Sequence, residues 1–254
     1  MPDKKINMSL PKVDSHQHFW QLSRGDYSWL TPELKVLYRD FLPEQLSPEL
    51  TYSNVAQTVI VQAAESESET DFILLIAEKT EFVTGVVGWI DMESSTAIKK
   101  LESLAQNSYF KGIRPMLQDI DDVDWILNTN FNPTFEFLAT NKLTFDALIR
   151  DVHLSNIEIL AKRHPKLKIV INHCAKPNLS KEPAELWKSQ LANLSACRNV
   201  YIKLSGLLTE APQGNVSQEV IQPYFEHVMS FFGVDRVMWG SDWPVIKLNG
   251  DYET

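Results

Sequence analysis

Eight short apolar runs, rich in β-branched residues, constrain this chain most. Each is separated from the next by a stretch of helical period. The runs are 12–18 (KVDSHQH), 57–63 (QTVIVQA), 82–90 (FVTGVVGWI), 109–116 (YFKGIRPM), 143–149 (LTFDALI), 168–174 (KIVINHC), 199–205 (NVYIKLS) and 236–242 (RVMWGSD). Between them, apolar side chains recur at a spacing of 3.6. Ala97, Ile98, Leu101, Leu104 and Ala105 form one face, and Val220, Ile221, Tyr224, Phe225 and Val228 another. Leu186, Leu191 and Leu194 mark a third behind Pro183, and Phe72, Leu75 and Ile76 a fourth. Strands alternating with helices predict parallel βα units, and eight of them predict an α/β fold of the (β/α)8 TIM-like barrel type. At 254 residues the chain has the length of one such domain spanning 1–254. A doubly wound sheet is the rival, but no G-x-G-x-x-G or Walker A turn follows the first strand.

Two stretches depart from a regular barrel. The first connection, 19–56, is long and carries Phe19, Trp20, Tyr27, Trp29, Tyr38 and Phe41, the character of an active-site loop. After Asp242 comes only 243–254, WPVIKLNGDYET, which does not read as a closing helix. The expected barrel is therefore distorted and lacks a full C-terminal helix.

A net charge of −9 argues against nucleic acid or an anionic membrane as partner, since both recruit basic patches. A small-molecule substrate is expected, and a homo-oligomer remains open. Two cysteines, Cys174 and Cys197, make no disulfide framework. With no apolar leader in 1–10, the expected location is cytoplasmic.

The chemistry-bearing residues lie at the ends of the apolar runs. His16 and His18 are two apart on the first strand, so alternation puts both on one face, with Asp14. Such a pair binds one metal ion or polarises one carbonyl. His173 ends the sixth run; alone it reads as a core histidine. Asp242 ends the eighth, beside the first strand of a closed barrel; alone it reads as a turn cap. Four such groups gathered at the C-terminal ends of strands one, six and eight mark a barrel active site. Arg114 and Lys203 are cations in otherwise apolar runs, where a cation needs a partner. They are expected either to bind substrate or to sit in buried ion pairs, with Asp91 and Asp146 as candidate partners or hydroxyl acceptors. No G-x-S-x-G elbow, C-x-x-C or H-E-x-x-H occurs.

VDSHQHFW, GDYSWL, GWID, FKGIRP, INHCAKP, KLSG and MWGSDWPV, in this order over about 12–245, resemble the sugar-lactonase branch of the amidohydrolase superfamily. That branch includes L-fuconolactonase- and L-rhamnonolactonase-like enzymes and is related to 2-pyrone-4,6-dicarboxylate lactonase. The resemblance implies a hydrolase that opens the ester ring of a small aldonolactone. Asp242, His173, His16 and His18 would be catalytic, and Arg114 would contact substrate, with Lys203, Trp89 and Asp91 as further candidates. The fifth run has no histidine, and Arg114 stands where metal-rich members carry a bridging lysine. The implied cofactor is therefore none, or one divalent ion, zinc first, on His16, His18 and Asp242. The alternatives are a metal-dependent decarboxylase of the same superfamily, or an inactive, C-terminally truncated binding protein.

Overall fold

The computed structural model describes residues 11–179, 182–212, 214 and 217–253. Eight parallel strands pair in sequence order. They are β1 Lys12–Gln17, β2 Val55–Val61, β3 Val83–Gly88, β4 Phe110–Ile113, β5 Thr144–Ala147, β6 Lys168–Ile171, β7 Val200–Leu204 and β8 Val237–Trp239. The barrel closes where β1 runs past β8. Gln17 bridges Trp243, the His18 N–H donates to the Trp243 carbonyl (2.7 Å), and the Asp242 N–H donates to the His16 carbonyl (2.8 Å). The expected (β/α)8 barrel is thus the observed architecture. Most strands stop short of the apolar runs that announced them. The last residues of the first, fourth, sixth and eighth runs leave the ladder and enter loops, and these residues build the site.

Helices α1 Pro43–Ser53, α2 Glu67–Ala77, α3 Ala97–Leu104, α4 Asn132–Thr140, α5 Leu154–Arg163, α6 Glu185–Ser195, α7 Leu207–Glu210 and α8 Gln218–Phe232 occupy the connections. Local chemistry sets several ends. Pro43 opens α1, where its missing N–H would have no helical partner. Ser66 caps α2 by accepting the Glu69 N–H (3.0 Å). Asn54 closes α1 in the left-handed region that asparagine tolerates. The helix faces shift slightly from expectation. On α6 the buried stripe is Trp187, Leu191 and Leu194, spaced four and three, while Leu186, one residue off it, is exposed. On α8 the buried stripe is Tyr224, Val228 and Phe232, and Phe225 is exposed for the same reason. Leu75 of α2 likewise points outward, with Ile73, Leu74 and Ala77 inward.

The long first connection is packed down, not loose. Trp20 and Phe41 exchange backbone hydrogen bonds of 2.9 and 3.0 Å, pinching the loop closed. Phe19, Trp20, Phe41 and Trp243 are fully buried and meet edge to face at ring distances of 5.3–6.0 Å. Beyond β8 the chain makes one 3-10 turn, Val245–Leu248, and no α-helix among the described residues. Val13 and Trp239, at the β1/β8 seam, are exposed. Among the described residues no helix is long and apolar enough to cross a membrane.

Candidate active site

Three breaks in regular backbone aim the site residues. In β1 the register with β2 runs from Asp14↔Thr58 to Gln17↔Ile60, three residues against two. This irregularity interrupts the alternation that would have grouped Asp14 with His16 and His18. Asp14 turns instead to Ser241 and Tyr252. β6 ends at Ile171, and His173, Cys174, Ala175 and Lys176 all take positive φ (51°, 53°, 62° and 49°). Left-handed backbone costs about 1–2 kcal/mol per non-glycine residue, so this turn persists only because its surroundings hold it. Ser205 Oγ meets His173 Nδ1 (3.0 Å), Cys174 Sγ reaches the Lys203 carbonyl (3.4 Å), and Trp187 Nε1 donates to the Cys174 carbonyl (3.0 Å). Gly206 leaves room for the His173 ring, since a Cβ there would lie 2.4 Å from Nδ1. Asp242 is the third break, at φ 59°.

Around Asp242 Oδ1 the three imidazoles converge. His18 Nε2 lies at 3.2 Å, His16 Nε2 at 3.7 Å and His173 Nε2 at 3.9 Å. All four side chains are buried. Burial holds the histidines below their ordinary range, His16 well below it and His173 down to about 3. Burial pulls Asp242 upward, but the imidazoles around it, His173 first, outweigh it and keep the carboxyl below its usual range. Neutral imidazoles thus surround a carboxylate. His18 Nδ1 sits 2.7 Å from the Val61 carbonyl, which can only accept, so Nδ1 carries the proton. In the neutral ring, His18 Nε2 then presents a lone pair to Asp242 Oδ1, and two acceptors face one another. That pairing requires a cation or a proton between them. His16 Nδ1 is buried without a hydrogen-bond partner. Donor atoms of His16, His18 and Asp242 all lie within 4.8 Å of one another, so two nitrogens and one oxygen form a set that fits one divalent ion with positions left open.

Arg114 is buried beside this cluster. One terminal nitrogen lies 3.4 Å from His16 Nε2 and 3.4 Å from Asn172 Oδ1, while the other donates to the Gln62 carbonyl. Gln62 Nε2 returns a bond to the Arg114 carbonyl (2.8 Å). Burial lowers the guanidinium to about 10, which leaves it charged at neutral pH. On the β4 and β5 side Arg114 coordinates no metal, and Asp146 of β5 is paired with Lys203 (2.7 Å).

A cavity of about 480 Å3 opens over the cluster, with His18, Arg114, His173 and Asp242 among its walls. Trp29, Glu65, Asp119 and Lys176, less buried than the cluster, also line it. Of the 19–41 aromatics, Trp29 alone lines this cavity, its Nε1 anchored on the Ala63 carbonyl (2.7 Å), while Trp20 is core. Three expected substrate contacts lie elsewhere. Lys203 is buried in its pair with Asp146. Asp91 is exposed and accepts the Glu93 N–H (2.9 Å), a turn cap. Trp89 is half-buried, its backbone tied to Thr70. Sequence reading missed Gln62, Asn172, Ser205 and Lys176. Gln62 and Asn172 carried the same signal as Arg114, a polar residue near the end of an apolar run.

Glu69 supports the loop after β2. Its buried carboxyl accepts the N–H groups of Ala63 (3.0 Å) and Ala64 (2.7 Å). Burial, helped by Asp26, still pushes it from 4.5 up to about 8. Between those values the folded chain holds a proton that the unfolded chain has released, so stability falls as pH rises. The slope is at most about 1.4 kcal/mol per pH unit. Lowered histidines act oppositely and only below 6.5. Urea unfolding of the metal-free protein should therefore show stability declining from pH 6.5 to 8, and Glu69→Gln should flatten that decline. An equal slope in the variant would remove Glu69 as its source.

Comparison with known proteins agrees with this geometry. The amidohydrolase family profile matches residues 13–254. An L-fucono-1,5-lactonase from Burkholderia ambifaria is 42% identical over 242 residues, covering 95% of this chain and 83% of that protein. An L-fucono-1,5-lactonase from Burkholderia multivorans is 31% identical, covering 97% and 86%. The crystal structure of an amidohydrolase from Burkholderia multivorans with bound zinc superposes with a TM-score of 0.89 at 30% identity, covering 96% and 88%.

Proposed function

Because this chain belongs to the amidohydrolase family, we propose that it hydrolyses the ester ring of a small sugar lactone at the His16–His18–His173–Asp242 cluster. The observation that carries the proposal is the convergence of three buried imidazoles on one carboxylate, with His18, His173 and Asp242 lining a cavity of about 480 Å3.

Lactone hydrolysis needs a nucleophilic water, a base for its proton and stabilisation of the oxyanion that forms. Asp242, ionised and buried, is the base. It takes the water proton and later delivers it to the ring oxygen as the C–O bond breaks. His173 faces the carbonyl; with the Ser205 hydroxyl donating to Nδ1, its Nε2–H points into the cavity as a donor. His16, His18 and Asp242 would hold a divalent ion, which would supply Lewis-acid polarisation of the carbonyl when bound. Arg114, whose Nε has no partner, holds a polar substituent of the lactone, and Trp29 offers a flat face to the sugar ring. A fifth strand that brings Asp146, already paired, and no histidine supports hydrolysis over the decarboxylase alternative. We also infer a cytoplasmic location, supported by two free cysteines.

Proton release from a panel of aldonolactones, with and without prior chelation, tests the proposal. L-Fuconolactone is expected to turn over, with activity lost on chelation and restored by zinc. Inertness toward every lactone, or CO2 release from a hydroxybenzoate, would overturn it.

A further inference from the structure

The seam between β1 and β8 holds a buried polar knot outside the substrate cavity. Both oxygens of the Asp14 carboxylate are used twice. Oδ1 accepts the His16 N–H (3.0 Å) and the Ser241 N–H (2.9 Å). Oδ2 accepts the Ser241 hydroxyl (2.5 Å) and the Tyr252 hydroxyl (3.0 Å). Asp14 is fully buried and Tyr252 is 5% exposed. The two partners of Asp14 nearest the site are one residue from Asp242 and the backbone of His16 itself. One carboxylate therefore ties the end of β8 to the end of β1, the two segments that carry the proposed metal ligands.

The geometry points to Tyr252 as a positioning residue: its hydroxyl closes an Asp14–Ser241 clamp that sets Asp242 against His16 and His18. This rests on the roles given above to those three residues. Among the described residues β1 and β8 form no ladder. Besides the clamp they meet through the Gln17–Trp243 bridge, the two backbone bonds at His16 and His18, the Ser15 hydroxyl on the Trp239 carbonyl (2.7 Å) and the packing of Phe19 and Phe41 on Trp243. Of these, only the His16–Asp242 backbone bond falls on a proposed ligand of each segment. Tyr252 does not line the substrate cavity. Its ring stands edge-on to Trp239 at 6.0 Å, walling a hollow behind Gly240 and Ser241. It therefore acts on the reaction through Asp14 and touches no substrate. Without the phenol proton, Oδ2 loses one of its two donors in a dry site, and the Ser241 hydroxyl is freer to turn. Asp242, the next residue, then samples more positions relative to the imidazoles.

Tyr252→Phe keeps the ring and its packing and removes only the hydroxyl. The clamp predicts an unchanged KM, with kcat lowered and the zinc dissociation constant raised by about tenfold, the scale seen when groups supporting metal ligands are removed. Zinc affinity is read by competition with a chromophoric chelator, and the folded fraction by circular dichroism. Wild-type kcat with wild-type zinc affinity would overturn the inference. So would losses that merely track the folded fraction. The chelator competition needs no lactone, so it decides the clamp even if no lactone is hydrolysed, an outcome that would sink only the proposed reaction.

Discussion

Asp242→Asn is expected to cut kcat by about 10²–10⁴-fold, the range of a positioned general base, while leaving the fold and KM nearly unchanged. The amide matches the carboxylate in shape but cannot take a proton from water. Asparagine is also among the few residues at ease with positive φ, so the 59° backbone at this position is not disturbed. His18 Nε2, now facing Asp242 Oδ1 at 3.2 Å, would lose its charged partner but not its bond to the Val61 carbonyl. Steady-state kinetics on the lactone found active, with melting temperatures alongside, measures both parts. Turnover within threefold of wild type would remove Asp242 from the chemistry.

Lys203→Met should act on stability and not on substrate. The Lys203–Asp146 pair is buried on both sides, at 3% and 2% exposure. Asn172 Nδ2 (3.1 Å) and Thr144 Oγ1 (3.0 Å) also bond Asp146, but neither neutralises it. Removing the ammonium strands a carboxylate in a dry interior, and breaking such a pair costs about 3–5 kcal/mol. Adding Asp146→Leu should recover most of that loss, because an apolar pair of similar volume often replaces a buried ion pair without penalty. Urea denaturation of the two single variants and the double variant measures the coupling. A raised KM at unchanged stability would instead return Lys203 to the substrate site.

These two residues show how far the sequence could be read. The alternation of strand and helix patterns specified the barrel, because burial on both faces of parallel strands leaves a plain apolar signal. His16, His18, His173 and Asp242 were legible because barrel topology brings strand ends together. Cations in apolar strands gave one signal for two fates: Arg114 walls the cavity, and Lys203 is consumed below it. Which fate applies depends on whether a carboxylate lies across the barrel, and that is a long-range fact. Asp146 and Asp91 were indistinguishable in the sequence for the same reason. The left-handed run 173–176 was hidden, since none of its residues is glycine and only its tertiary contacts sustain it. The irregularity in β1 was equally silent, and it separated Asp14 from the histidines two and four residues on.

The aromatic closure of the first connection bears on how a substrate gets in. Trp20 and Phe41 lock that loop against itself, and Phe41, with Phe19, packs on Trp243, the residue after Asp242. A flap hinged there would have to pull fully buried rings out of the core on every turnover. The doorway is therefore a standing one. Ring size and hydroxyl stereochemistry are judged against a shape that exists before the sugar arrives, so binding involves little reorganisation of this wall. Altered substrate preference is then to be sought at Trp29, Glu65 and Asp119, which line the cavity, and not in the loop's core.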